Sequence, residues 1–129
     1  KKIISKFKKK KIRTSLFINP SPNDIRLSKE LDVDCIEIHT GRLANLVKSN
    51  KNYLNELKKI RKCSKLASSF NIEVHAGHGL DYKTTKLLRN IDSIKEFNIG
   101  HFIIGESVFF GMKNVIKNFI NIIKNKWKF

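Results

Sequence analysis

The sequence predicts an α/β fold built on a parallel sheet: four βα units, about half of the eight that close a (βα)8 TIM barrel. Three observations predict it. Short β-branched or aromatic runs alternate with helical patterns along the chain, the order that gives a parallel sheet with right-handed crossovers. Polar side chains occupy alternate positions within those runs, and side chains at alternate positions share one face of a strand. The chain's four histidines, His39, His75, His78 and His101, lie at or just past the ends of the runs, so parallel strands would gather them on one face. An open doubly wound sheet fits the same strand count. No Gly-x-Gly-x-x-Gly or Walker sequence supports a nucleotide-binding version of that fold.

Taken in order, Lys1 to Lys11 reads as the basic tail of a helix with Ile3, Ile4 and Phe7 as its apolar spots. Ile12 to Asn19 is the first strand. Pro20-Ser21-Pro22-Asn23 stops it, because proline has no N–H for a ladder; Ser21 is placed to cap a helix that has Pro22 at its first position and runs to Leu31. A turn over Asp32 to Asp34 leads into the second strand, Cys35 to His39, and Thr40 to Lys51 reads as a long loop. Asn52 to Phe70 is the clearest helix. Its apolar positions, Leu54, Leu57, Ile60, Cys63, Leu66, Ala67 and Phe70, recur every three or four residues, with Lys58, Lys59, Arg61, Lys62 and Lys65 mainly on the solvated side. Ile72 to Ala76 is the third strand, Thr84 to Arg89 a short helix, and Glu96 to Ile99 the fourth strand. His101 to Phe110 is a short helix closed by Gly111, and Lys113 to Lys126 is the last helix, with Val115, Ile116, Phe119, Ile120 and Ile123 on its buried side.

The strands favour a barrel with a site in it. Ile36 and Ile38 share one face of the second strand and Glu37 and His39 the other; Val74 opposes Glu73 and His75, and Phe97 and Ile99 oppose Asn98. With the apolar sets under the helices, Glu37, His39, His75 and Asn98 face the barrel interior, which branched aliphatics usually fill. Four polar residues there point to an active site rather than to isolated structural groups.

Size and composition set bounds on the function. The 129 residues suit a single domain over 1–129, and 40% hydrophobic residues suit a folded chain. No apolar run reaches the roughly 18–20 residues that span a bilayer, and the start is too basic for a secretory signal. A soluble cytoplasmic protein without a membrane partner is therefore expected. The net charge of +16 invites a nucleic-acid reading. The excess is mostly lysine, however, in a chain also rich in Asn and Ile, as an AT-rich genome produces, and only five arginines are present. Compositional drift explains the charge better than a specific nucleic-acid partner. Cys35 and Cys63 form no Cys-x-x-Cys pair, so buried reduced thiols are expected and no metal site. The only methionine is Met112; a partial sequence of a longer chain is the expectation.

Three positions carry the candidate chemistry. His78 sits between Gly77 and Gly79, where the backbone can turn sharply and a ligand can approach, and its imidazole can give or take a proton near neutral pH. Glu37 is a carboxylate inside a β-branched strand, costly to bury unless paired. It suits charge stabilisation or proton handling, or else a structural ion pair. Gly100-His101 opens the helix after the fourth strand, where free N–H groups and the helix dipole favour an anion. In (βα)8 enzymes the loops after strands seven and eight commonly bind phosphate in this way; if the chain is the second half of a barrel, Gly79 and Gly100 lie in those loops.

The segments Ser15-Leu16-Phe17-Ile18, Glu37-Ile38-His39-Thr40-Gly41, Ala76-Gly77-His78-Gly79-Leu80 and Asn98-Ile99-Gly100-His101-x-Ile103-Ile104 resemble, in order and spacing, the C-terminal half of the pyridoxine 5′-phosphate synthase family. The resemblance implies a (βα)8 TIM barrel, of which this chain is the C-terminal four βα units, assembled as a homo-octamer. It implies a transferase-type enzyme of vitamin B6 biosynthesis that condenses 1-deoxy-D-xylulose 5-phosphate with 3-amino-2-oxopropyl phosphate. The products are pyridoxine 5′-phosphate, phosphate and water, and no metal or organic cofactor takes part. By motif, His78 resembles the proton donor and Glu37 the transition-state-stabilising glutamate; Gly79, Gly100 and His101 resemble residues that hold the aminoketone phosphate. His75, Asn19 and Glu106 depart from the asparagine, aspartate and arginine common there. The Asn-x-Asp-His segment, second catalytic histidine, catalytic glutamate and substrate-binding arginines of the family's N-terminal half match nothing in the chain, so the chain alone is expected to be inactive. The other readings are a decayed half-barrel remnant, a different phosphate-binding barrel, and a basic nucleic-acid-binding module.

Overall fold

In a computed structural model that describes residues 1–124, four strands form one parallel sheet in the order β1-β2-β3-β4. They are β1 (Ser15–Ile18), β2 (Cys35–His39), β3 (Glu73–Gly77) and β4 (Ile94–Asn98). Seven helices accompany them: α1 (Lys2–Lys9), α2 (Pro22–Leu31), α3 (Gly41–Lys48), α4 (Leu54–Ser69), α5 (Tyr82–Leu88), α6 (His101–Phe110) and α7 (Met112–Lys124). This is the expected α/β alternation of a partial TIM barrel. The end predicted for the last helix, Asn125 and Lys126, lies outside the described residues.

The core lies between the sheet and the helices. Ile36, Ile38, Val74 and Ala76 are wholly buried from the sheet side, against Ile25 of α2, Leu43 of α3, Ile60 and Ala67 of α4, and Leu88 of α5. Each Ile, Leu or Val among them contributes on the order of 1.5–3 kcal/mol by leaving water, so the alternation in the strands fixes which face the helices cover. The opposite face carries Phe17, Glu37 and His75 in one row and His39, Gly77 and Asn98 in the row above, each set paired across the ladder. Cys35 and Cys63 are free and buried, and the lysines of α4 are exposed, both as expected.

Five local expectations are corrected. The first strand starts at Ser15, not Ile12: the Thr14 N–H is donated to Oδ2 of Asp34 at 2.7 Å rather than to a neighbouring strand. Ser21 is the residue before α2 and Pro22 its first, but the Ser21 hydroxyl makes no cap hydrogen bond. The predicted loop from Thr40 to Lys51 contains α3, whose Leu43 and Ala44 are buried and whose Val47 packs against the core. Leu54, read as an apolar position of its helix, is exposed at the first turn of α4. The short helix after the third strand begins earlier than expected because Asp81 caps it. The Asp81 carboxylate accepts the Thr84 N–H at 2.7 Å, and the Thr84 hydroxyl accepts the Asp81 N–H at 2.9 Å, a reciprocal capping box.

Candidate active site

At the carboxyl rim of the sheet, β3 runs into a turn that only unusual backbone can make. His78 and Gly79 follow one another with φ of 74° and 75°, and a left-handed conformation costs a side-chain-bearing residue about 1–2 kcal/mol. Neighbouring groups hold the turn in place. Wholly buried Thr40, at the end of β2, gives its N–H to the Gly77 carbonyl at 2.9 Å. Its hydroxyl lies 2.7 Å from that carbonyl and 2.8 Å from the carbonyl of His78, so one proton is shared between two acceptors. Two adjacent βα turns are thereby tied together.

The turn sets His78 against His39, their rings stacked with centroids 4.5 Å apart and planes at 27°. Phe17 meets His39 edge-on at 5.2 Å and lies 6.3 Å from His78. Gly41 permits the stack: a Cβ there would stand 2.7 Å from the His78 ring and 2.8 Å from the His39 ring. Burial, then the neighbouring His78, depresses the pKa of His39 below the ordinary histidine value, while Glu37 pulls it up. His39 thus stays neutral to lower pH than a free imidazole.

Glu37 sits in the middle of β2 and reaches sideways across β3. Its Oε1 occupies space over Gly77 so closely that a Cβ on that glycine would be 1.9 Å from it, and its Oε2 accepts a hydrogen bond from Nδ2 of Asn98 on β4 at 2.6 Å. The carboxylate therefore has an amide partner on one oxygen and a cleared strand beneath the other.

Two clefts flank His78. A larger one of about 670 Å³ runs from His78 and Gly79 to Asn98, Gly100, His101 and Glu106. Gly100, the residue before α6, has no side chain to cap the helix, so the first N–H groups of α6 remain open to an anion. A second cleft of about 400 Å³ lies between the two imidazoles and α3, with Arg42, Asn45, Ser49 and Lys51 in its wall. Exposed imidazole, fixed carboxylate and open helix terminus can together move a proton and stabilise negative charge on a ligand. Among the described residues no three His, Cys, Asp or Glu side chains are grouped to hold a metal ion.

His78, Gly79, Gly100 and His101 thus share one cleft, and Glu37 joins them through Asn98. His75 does not join the other histidines. It shares the inner face but lies one row below the rim, where Nε2 meets Oε1 of Glu73 at 2.8 Å and Nδ1 lies 3.5 Å from Glu96. Glu73, held also by Arg13 at 3.0 Å, is the closer partner on the same strand face. Sequence reasoning missed the parts played by Phe17, Thr40, Gly41 and Gly77. The two glycines could have been suspected from flanking polar residues, whereas Thr40 gives no signal until two turns are brought together.

The family model described as pyridoxal phosphate biosynthesis protein PdxJ matches residues 1–125. The chain is 60% identical over 122 residues to the pyridoxine 5′-phosphate synthase of Pelagibacter ubique (strain HTCC1062), covering 95% of this chain and 51% of that protein. It is 47% identical over 117 residues to the pyridoxine 5′-phosphate synthase of Zymomonas mobilis, covering 91% and 45% respectively, and 41% identical over 128 residues to that of Sulfurihydrogenibium sp. (strain YO3AOP1), covering 99% and 52%. The chain spans about half the length of the curated relatives it matches.

Proposed function

The chain belongs to the PdxJ family of pyridoxal phosphate biosynthesis proteins, and from that premise we propose that it forms the proton-donating, phosphate-holding half of a cytoplasmic pyridoxine 5′-phosphate synthase. The reaction is the condensation of 1-deoxy-D-xylulose 5-phosphate with 3-amino-2-oxopropyl phosphate, releasing inorganic phosphate and water, with no metal or organic cofactor. The observation that carries the reading is the placement of His78, exposed at a strained turn in the same cleft as the uncapped terminus of α6.

In this reading the first turn of α6, with Gly79, Gly100 and His101, holds the phosphate of the aminoketone against the positive end of the helix. His78 gives a proton to the oxygen that leaves as water; its left-handed backbone lifts the ring above the rim, clear of the sheet. Glu37, with one oxygen bonded to Asn98, keeps its other oxygen for positive charge that develops as the amine attacks the ketone carbon. The abstraction of protons falls to acid–base groups of the amino-terminal half, so the chain alone turns over no substrate. The completed subunits assemble as a homo-octamer.

The test is to co-express the chain with the amino-terminal half of the Pelagibacter ubique synthase and to follow pyridoxine 5′-phosphate by its absorbance after chromatography. Product is expected from the pair and none from the chain by itself, and His78→Asn is expected to lower kcat about 100- to 10,000-fold, the usual range for a general acid. A pair that binds tightly yet makes no product from the two substrates overturns the reading.

A further inference from the structure

We propose that Asn98 is a positioning residue for Glu37: its amide fixes the orientation of the carboxylate, leaving Oε1 free above Gly77 for charge developing on the substrate. The proposal rests on the synthase reading for its kinetic consequence, but its geometry stands alone.

Three features meet at one point of the sheet. His39, Gly77 and Asn98 are register partners on neighbouring strands, so Glu37, one row lower on β2, reaches Asn98 only by crossing β3. It crosses at the glycine, where a Cβ would stand 1.9 Å from Oε1 and 2.6 Å from the carboxyl carbon. Nδ2 of Asn98 then donates to Oε2 at 2.6 Å. A carboxylate oxygen has nothing to donate, so the amide must present its NH₂ and not its carbonyl. Asn98 is partly buried and lines the cleft shared with His78 and His101. An asparagine suits this task because its donor never ionises, so the bond holds at every working pH. Aspartate would set a like charge against Glu37 except where the pair retains a proton.

On β3, His75 is paired with Glu73; on β4, Glu96 lies one row below Asn98, 3.5 Å from Nδ1 of His75. At the rim, His39 and His78 are stacked on one another. Among the described residues no Lys or Arg forms an ion pair with Glu37; its carboxylate is held by the Asn98 amide and faces the His39 imidazole electrostatically.

The experiment has two arms. In the isolated chain, the side-chain NH₂ signals of Asn98 in a ¹H–¹⁵N spectrum are expected to shift on Glu37→Gln, while those of exposed Asn45 stay in place; signals of Asn98 that ignore Glu37→Gln overturn the proposal. In the chain co-expressed with the Pelagibacter ubique amino-terminal half, Asn98→Ala is expected to lower kcat about 10- to 100-fold, the span of one hydrogen bond to a charged group, with KM for either substrate within about twofold. Asn98→Asp should match Asn98→Ala at high pH and regain roughly tenfold relative to wild type as pH falls, once a retained proton restores a donor. Asn98→Ala with wild-type kcat, or Asp and Ala variants with one pH profile, overturns it. A pair without product whose Asn98 signals still respond to Glu37→Gln fails the synthase reading while leaving the positioning of Glu37 intact.

Discussion

A methyl group on Gly77 would stand 1.9 Å from Oε1 of Glu37, so Gly77→Ala must push that side chain off Asn98. The expected result in the completed enzyme is a fall in kcat of about 10- to 100-fold, together with about 1–3 kcal/mol of lost stability from crowding, read by steady-state kinetics and by urea unfolding of the same sample. A second residue-scale prediction concerns His39. Burial and His78 lower its pKa, so between that depressed value and about 6.5 the unfolded chain binds the proton that the folded chain refuses. His39 therefore contributes stability above that window and loses it as pH falls through it. Titration of the His39 ring by NMR should give a midpoint below the ordinary range, moving up in His78→Asn; an unmoved midpoint would remove His78 as a cause. The candidate side chains His78 and Glu37 were legible in the sequence because each breaks a local pattern, one between glycines, the other inside a β-branched run. The Glu37–Asn98 bond was not, since it joins residues 61 apart across a third strand. The face of His75 was legible from strand alternation, but its pairing with Glu73 on the same strand and Glu96 on the next was not.

At the scale of elements, the strands β2 and β3 and the long helix α4 followed from the sequence, because the strands are short runs rich in Ile, Val and Cys and the helix repeats its apolar residues every three or four positions. The helix α3 did not. Leu43, Ala44, Leu46 and Val47 have helical spacing, but eight residues opened by a glycine, with no capping hydrogen bond from Thr40, give no start signal and make a helix that is marginal alone; packing of Leu43 into the core decides the matter, as tertiary contacts do for short helices. The Thr40 hydroxyl caps no helix because it is committed to the next βα turn. Leu43→Ala should then cost about 2–5 kcal/mol in urea unfolding. It should also loosen the wall of the smaller cleft, visible as faster amide exchange over 41–48 with little change over α4. A loss confined to a few tenths of a kcal/mol would mean that α3 is held by something other than its core contact.

Over the whole molecule, the sheet has open edges at β1 and β4, and much apolar surface lies uncovered near the second of them. Phe109 is 80% exposed and Val108 78% on α6, with Phe110 beside them. Helix α6 is mostly apolar, with Phe102, Ile103, Ile104, Val108, Phe109 and Phe110 spread around it rather than gathered on one face, which suits a segment enclosed by other protein. The isolated chain is expected to self-associate through this surface. Phe109→Ser with Phe110→Ser should shift its weight-average mass towards the monomer in analytical ultracentrifugation, and an unchanged mass would place the association elsewhere. The number of βα units was legible in the sequence. How they close was not, because edge strands look alike whether or not a neighbour pairs with them. The edges carry one further consequence. Because all four strands run parallel, β1 and β4 offer hydrogen-bonding rows of the same polarity. To continue the parallel ladder, a complementary half must present two strands of matching sense, one to each edge. That fixes its orientation along the strand axis: such a half docks with its own strand ends at the rim that bears His78, and an inverted half would make both seams antiparallel.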